Sequence, residues 1–255
     1  MEKKIIVEEV SFNGIPCSIY RDDVEEVKPL IFFFHGFGGN HLNGILDKGH
    51  KLAGMGYYVV AMDAYLHGER ATEEFKTLEH AKRQKSIVDI EIQTANDAKD
   101  IYNKYFRNNP LVKPNQVYAM GVSMGAGISY YLGTILDELK IIIAIVGSPS
   151  FVEFYKYKQV KYNFELNEEY YNKLADYEKH DPLINYSPLL SKYIYMGCGT
   201  QDEVVPRMYA KELCTKLEKS MYLYEEYECG HTSTDEMLEH AYNFLNTNAK
   251  WKNND

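Results

Sequence analysis

Short apolar runs rich in β-branched and aromatic residues recur along this chain, at IIVEEV (5–10), IPCSIY (15–20), LIFFF (30–34), YVVAM (58–62), VYAMG (117–121), IIIAIV (141–146), YIYMG (193–197) and MYLYEE (221–226). Most are continuous rather than alternating, the pattern of strands covered on both faces. Helical periods lie between them. Ile87, Ile90, Thr94, Ala98, Ile101 and Tyr105 recur at three- and four-residue steps, as do Met237, Leu238, Ala241, Tyr242 and Leu245. Strands alternating with helices predict an α/β fold built on a mostly parallel sheet with helices on both faces. The first two runs flank Asn13-Gly14 and predict an antiparallel hairpin at the sheet edge.

One segment breaks the rhythm. From Phe151 to about Pro182 the chain is polar and tyrosine-rich and offers no strand, so a small helical cap inserted over the strand ends is expected. With 255 residues, 45% of them hydrophobic, the chain can bury a full core, and one domain over 1–255 is the expectation. A formal net charge of −9 without basic runs argues against a nucleic-acid or anionic-membrane binder. The N-terminal MEKKIIVEEV is too short in apolar residues for a signal peptide, and no apolar stretch approaches membrane-spanning length, so a soluble cytoplasmic protein is expected. Cysteines 17, 198, 214 and 229 are scattered without a C-x-x-C pair, which favours reduced, mostly buried thiols over a zinc site or a disulfide framework.

In an open α/β sheet, ligands sit outside the carboxyl ends of the strands. Four such ends carry chemistry-bearing residues. HGFGGN follows LIFFF, GVSMG follows VYAM, GCGTQDEVVP follows YIYM, and YECGHTSTDE follows MYLYEE. GVSMG fits G-x-S-x-G, in which a sharp strand-to-helix turn needs small neighbours around an exposed serine. Together the strand ends supply a nucleophile, an acid and a base in the order Ser123, Asp202, His231. A serine hydroxyl needs a neutral imidazole to take its proton, and that imidazole needs a carboxylate to fix its tautomer. Glu203 is the nearest rival to Asp202, and an Asp there also suits a helix N-cap. HGFGG would add an oxyanion hole, with the backbone NH groups of Phe37 and Met124 as donors. A phosphate loop is disfavoured, because the stretch lacks the third glycine of G-x-G-x-x-G and any following Lys-Ser or Lys-Thr.

These four stretches, in this order and spacing, resemble the α/β-hydrolase superfamily over essentially the whole chain. The further stretch MDAYLHGER (62–70) resembles a loop of small bacterial carboxylesterases related to the dienelactone-hydrolase and prolyl-oligopeptidase-like branches. The resemblance implies the α/β-hydrolase fold, the catalytic triad and esterase activity. Two departures limit it. There is no long N-terminal propeller region, which argues against an oligopeptidase, and Ser123 stands where dienelactone hydrolases carry Cys and dehalogenases Asp. His67 and Arg70 either line the pocket or bind an acidic substrate group; alternatively Arg70 and Glu69 pin the loop. Among the cap aromatics, Phe154, Tyr155 and Tyr157 are the candidates for shaping an acyl site, with packing of the cap as the competing role.

The expected function is therefore a serine carboxylesterase acting on small short- to medium-chain esters, with no cofactor and no metal. A thioesterase or acyltransferase on the same residues, and a non-catalytic binding protein on a hydrolase fold, are the alternatives. Small-molecule esters are the expected partners, without nucleic acid or membrane.

Overall fold

The computed structural model describes residues 4–249, so Met1–Lys3 of the N-terminal stretch lie outside the described residues. The hairpin forms where Asn13-Gly14 places it. Both residues adopt positive φ, 53° and 79°, the handedness that matches strand twist, and join β1 (Ile5–Phe12) to β2 (Ile15–Asp22). There follow β3 (Lys28–Phe34), α1 (Leu46–Gly54), β4 (Tyr58–Met62), the short helices α2 (Glu73–Thr77) and α3 (His80–Gln84), and α4 (Ile87–Ile101). The second half contains β5 (Val112–Val122), α5 (Met124–Ile135), β6 (Leu139–Ile145), α6 (Phe151–Tyr162), α7 (Glu168–His180), β7 (Tyr193–Gly199), α8 (Met208–Cys214), β8 (Tyr222–Tyr227) and α9 (Asp235–Asn248).

The strands form one sheet in the order β1-β2-β4-β3-β5-β6-β7-β8, parallel from β4 to β8 and antiparallel only at the hairpin edge. β3 shows why the buried runs are continuous. Phe32 and Phe34 pack with α4, α5 and the 151–182 segment on one face, while Ile31 and Phe33 pack with α1 and α9 on the other. The resulting layers are helix, sheet, helix. Among the described residues no helix is long and apolar enough to cross a membrane. The cysteines are free, with Cys17 and Cys198 buried and Cys214 and Cys229 half-buried.

Two elements differ from their sequence reading. β5 begins at Val112 rather than 117, because a register shift between Lys28 and Leu30 on β3 lets the polar stretch Lys113–Gln116 bulge while the strand stays paired. The period carrying Tyr105 leaves the α-helix at Ile101 and continues as a π-turn over Tyr102–Phe106. That turn brings the Tyr105 ring to 4.8 Å from Phe12, with its hydroxyl donating to Asn13 at 3.0 Å.

The 151–182 segment is helical, as its composition suggested. Ser150 caps α6 by accepting the Glu153 N–H, and Asp181, fully buried, accepts from Ser150 Oγ at 2.9 Å, Val152 N at 2.8 Å and Leu183 N at 2.8 Å. One carboxylate thus ties together both ends of the insertion.

The closest backbone approach lies at β5 and α5. A Cβ on Gly121 would stand 2.0 Å from the Gly125 carbonyl oxygen, and one on Gly125 would stand 2.1 Å from that of Phe34. Backbone cannot swing aside as a side chain can. Gly121→Ala is therefore expected to lower the unfolding free energy by at least about 3 kcal/mol. Gly54→Ala, at an exposed helical glycine with nothing within 4 Å of the added methyl, is expected to be neutral or to stabilise by roughly 0.5 kcal/mol. Urea denaturation of the two variants beside wild type checks both.

Candidate active site

The tight β5–α5 junction sets the conformation of Ser123. Its φ of 57° and ψ of −118° are rare for a residue with a Cβ. The turn is held from behind by the Ser123 N–H donating to Ile145 O at 2.8 Å. It lifts the hydroxyl off the end of β5 into a cleft of about 370 Å³.

His231, after β8, reaches Ser123 Oγ through Nε2 at 2.7 Å, and its Nδ1 meets Asp202 Oδ2 at 2.7 Å. The carboxylate settles the proton positions. Nδ1–H donates to Asp202, which leaves Nε2 as the acceptor for the serine O–H. Asp202 Oδ1 accepts the Val204 and Val205 amides at 2.8 and 2.9 Å. Burial raises the Asp202 pKa, but the His231 bond and the two amides outweigh it, so the carboxyl titrates below its ordinary range. The loops bearing Asp202 and His231 are joined by Thr200 N to Tyr227 O at 2.8 Å and Gln201 N to Cys229 O at 3.0 Å. Glu203 takes a different place: its side chain is exposed, and its carbonyl accepts from Tyr157 Oη and Lys161 Nζ, both at 2.5 Å.

The HGFGG loop abuts the serine. A Cβ on Gly36 would stand 3.6 Å from Ser123 Cβ, and Phe37 lines the cleft. The Met124 amide begins α5, where helix geometry leaves an N–H without an intrahelical acceptor. His35 supports the loop from below, its Nδ1–H donating to Gly36 O at 2.8 Å and its Nε2 accepting the Ala64 N–H at 3.1 Å. Asp63 joins the neighbouring loop to it, with Oδ1 accepting from His41 N and Oδ2 from Glu69 N, each at 2.8 Å.

The remaining sequence candidates separate. Phe154 lines the cleft. Tyr155 does not; it is buried within the cap, stacked on Tyr170 at 5.2 Å and edge-on to Tyr177 at 5.0 Å. Tyr157 is not among the cleft-lining residues and holds the Glu203 carbonyl instead. His67 lies beneath the loop, its ring 4.9 Å from that of Phe37, and is likewise absent from the cleft wall. Arg70 pairs with Asp97 at 2.6 Å and donates to Asp63 O at 3.1 Å, so it pins the loop through Asp97 rather than Glu69. The wall also includes residues that the sequence reading passed over: His80, Gln84, Lys158, Tyr162, Val204 and Thr232. Lys158 carried a readable signal, since it follows Phe154 by four residues and continues the helical face of Phe151 and Tyr155. Among the described residues, no three His, Cys, Asp or Glu side chains are grouped as metal ligands would be.

This arrangement allows a definite chemistry. A serine whose proton has an imidazole acceptor, with N–H groups beside it for a developing oxyanion, can attack an electrophilic carbonyl. The model of the dienelactone hydrolase family matches residues 18–252. The chain belongs to the dienelactone hydrolase family. Membership places it among hydrolases. The Bacillus subtilis (strain 168) protein YitV, whose name marks it as a candidate esterase, is 26% identical over 211 residues, covering 79% of this chain and 80% of its own. Among solved structures, TT1662 from Thermus thermophilus superposes with a TM-score of 0.72 at 18% identity, over 97% of this chain and 99% of its own. Acetyl xylan esterase 1 from Thermoanaerobacterium sp. JW/SL YS485 gives 0.64 at 19% identity, over 96% and 88%. At these identities the superpositions establish the α/β-hydrolase fold alone.

The loop under Phe37 carries a pH signature. Burial, only partly opposed by the Gly36 hydrogen bond, drives the His35 imidazole from 6.5 down to about 4. The folded state therefore accepts this proton later than the unfolded chain does. His35 contributes stability that is fully present above about 6.5 and is lost as pH falls toward 4. Between pH 7 and 4.5 the stability advantage of wild type over His35→Gln is expected to shrink by about 2 to 3 kcal/mol. Urea titrations of both proteins at the two pH values measure this.

Proposed function

We propose that this protein is a serine hydrolase that cleaves small carboxylic esters through an acyl-enzyme. The observation that carries the reading is the continuous chain Ser123 Oγ to His231 Nε2 to Asp202 Oδ2, with 2.7 Å at each contact. Ser123 Oγ attacks the ester carbonyl carbon while its proton passes to His231 Nε2. Negative charge then collects on the former carbonyl oxygen, where the Phe37 and Met124 N–H groups receive it. The imidazolium formed lies against the Asp202 carboxylate and returns its proton to the departing alcohol oxygen. Water repeats the sequence on the acyl-enzyme: His231 takes its proton, the C–O bond to Ser123 breaks, and the serine recovers a proton as the acid leaves. The esterase names of YitV and of the xylan esterase support the same substrate class. A cleft of about 370 Å³ walled by Phe37, Phe154 and Tyr162 suits acyl groups of short to medium length.

Ser123→Ala is expected to keep the fold and to lose on the order of 10⁶ in turnover of 4-nitrophenyl acetate. A fluorophosphonate probe should label wild type once and leave this variant unlabelled. Hydrolysis by the alanine variant within about tenfold of wild type, against a heat-treated control, removes the proposal.

Asp202→Asn leaves an amide where His231 needs an acceptor, which favours the wrong imidazole tautomer. A fall of about 10⁴ in kcat is expected. Glu203→Gln should stay within about threefold of wild type, because the backbone carbonyl of Glu203, and not its carboxylate, is what the cap engages. Steady-state kinetics of the pair decide it, and equal losses would disqualify Asp202 as the residue orienting the base.

A further inference from the structure

One wall of the cleft carries a neutral polar group that the ester chemistry above leaves idle. The first and last residues of α3, His80 and Gln84, stand one turn apart and so share a helix face. Both line the cleft that holds Ser123 and His231, and Ile87, at the start of α4, continues the same wall. His80 is engaged: its Nε2 lies 3.3 Å from Tyr162 Oη, which joins α3 to the end of α6. Gln84 is not. It is 4% exposed, and its side-chain oxygen has no hydrogen-bond partner.

Buried amide oxygens without a donor are uncommon, because each forfeits its hydration on burial. A leucine would fill a similar volume at this position without that loss. Nor does the protein supply a donor from across the cleft. The wall there is largely apolar, with Val122, Val146 and Phe154, and the Lys158 ammonium lies over the Phe154 and Tyr162 rings at 4.7 and 5.6 Å rather than on this oxygen. The topology also fixes which part of an ester would meet Gln84. The departing alcohol oxygen has to lie at His231 Nε2, on the loop after β8. Gln84 comes from the opposite side, since α3 follows β4, and β4 and β3 lie across β5 from β7 and β8. It therefore shares with Phe37 the side of Ser123 away from the base, where the acyl group extends.

From this geometry we infer that Gln84 Oε1 accepts a hydrogen bond from the acyl group of the substrate, so that the cleft selects esters whose acyl part carries a hydroxyl or an amide N–H over those with a hydrocarbon chain. This rests on the ester-hydrolase reading of Ser123 and deepens it by naming the substrate class. A donor on the acyl group restores the bond that Gln84 lost on burial, and a hydrocarbon chain leaves the oxygen unpaired. The resulting discrimination is asymmetric. A pocket with a buried polar group rejects the analogue that cannot pair with it far more strongly than an apolar pocket rejects one methylene too many. Gln84 determines specificity and takes no part in the proton transfers between Ser123 and His231.

The test uses two pairs of uncharged esters that are nearly isosteric and share one leaving group. 4-Nitrophenyl 3-hydroxybutanoate against 4-nitrophenyl 3-methylbutanoate exchanges a hydroxyl for a methyl, and the 4-nitrophenyl ester of N-acetylglycine against 4-nitrophenyl 4-oxopentanoate exchanges an N–H for a methylene. Each kcat/KM is divided by the rate of the same ester with hydroxide, which removes differences in intrinsic reactivity. In at least one pair wild type should prefer the donor-bearing ester by about tenfold to a hundredfold, the range that pairing a buried polar group supplies. Gln84→Leu should bring that ratio close to one. If this variant does not fold, Gln84→Met, which keeps the unbranched shape, is measured in its place. Lack of preference for the donor in both pairs overturns the inference, and so does a preference that survives the substitution. A merely structural Gln84 would give the latter result, because both members of a pair would then slow together. Ser123-dependent hydrolysis of 4-nitrophenyl acetate, which carries no donor, reports separately on the ester-hydrolase reading. A protein inactive on it loses that reading and this inference together, whereas an active one without donor preference loses the inference alone.

Discussion

Ser123 occupies a backbone conformation that a residue with a side chain rarely tolerates, and the architecture around it exists to hold that turn. The cost, of order 1 to 3 kcal/mol, is met by the burial of β5 and α5 on either side of the turn. Gly121 and Gly125 let strand and helix meet at backbone contact, and Ile145 accepts the serine amide from the adjacent strand. With larger residues at these glycines α5 would stand off the sheet and the hydroxyl would no longer face the ends of β7 and β8. Local strain, close packing and the position of one oxygen atom are a single constraint here.

From that turn the site spreads across neighbouring strand ends. Parallel strands deliver their carboxyl ends to one edge of the sheet, so residues 108 positions apart in sequence come within hydrogen-bond distance, as Ser123 and His231 do. The Asp202 loop is gripped on two sides. Backbone bonds join it to the His231 loop, and Tyr157 and Lys161 of the cap hold the Glu203 carbonyl. α7 is tied in turn to α4 through Tyr177 donating to Asp89 at 2.8 Å, and to the turn before α4 through Lys85 pairing with Glu169 at 2.7 Å. Moving the cap off the cleft would break contacts made by the acid loop, which couples cover and site mechanically.

The electrostatics follow the same division between scaffold and cleft. Asp63 and Asp181 are fully buried, and each spends its carboxylate on backbone amides that close loops. Asp202 spends one oxygen in that way and keeps the other for His231. Lys158 differs from all of them because its ammonium lies over the Phe154 and Tyr162 rings rather than against a hydrogen-bonded carboxylate.

The fold was legible in the sequence because strand burial on both faces writes itself as unbroken apolar runs, and LIFFF, YVVAM and IIIAIV each mark a strand of the sheet. Ser123, Asp202 and His231 were readable as candidates for a related reason: in a parallel sheet every strand end points to one edge, so a short motif after a strand already has an address. What sequence did not decide was direction within the cap. Phe154, Tyr155 and Tyr157 are near neighbours in one aromatic stretch, yet on a helix they face the cleft, the cap interior and the acid loop respectively, since successive residues turn by about 100°. The same rotation brings Lys158 inward, where an aromatic count overlooked it. Sequence favoured Asp202 with Glu203 as its nearest rival, and the fold of the loop points the Asp202 carboxylate at the imidazole and leaves that of Glu203 in solvent. Periodicity and strand-end position determined the architecture and the candidate residues; the orientation of each side chain was decided by tertiary packing, because which face a helix buries depends on what it is packed against.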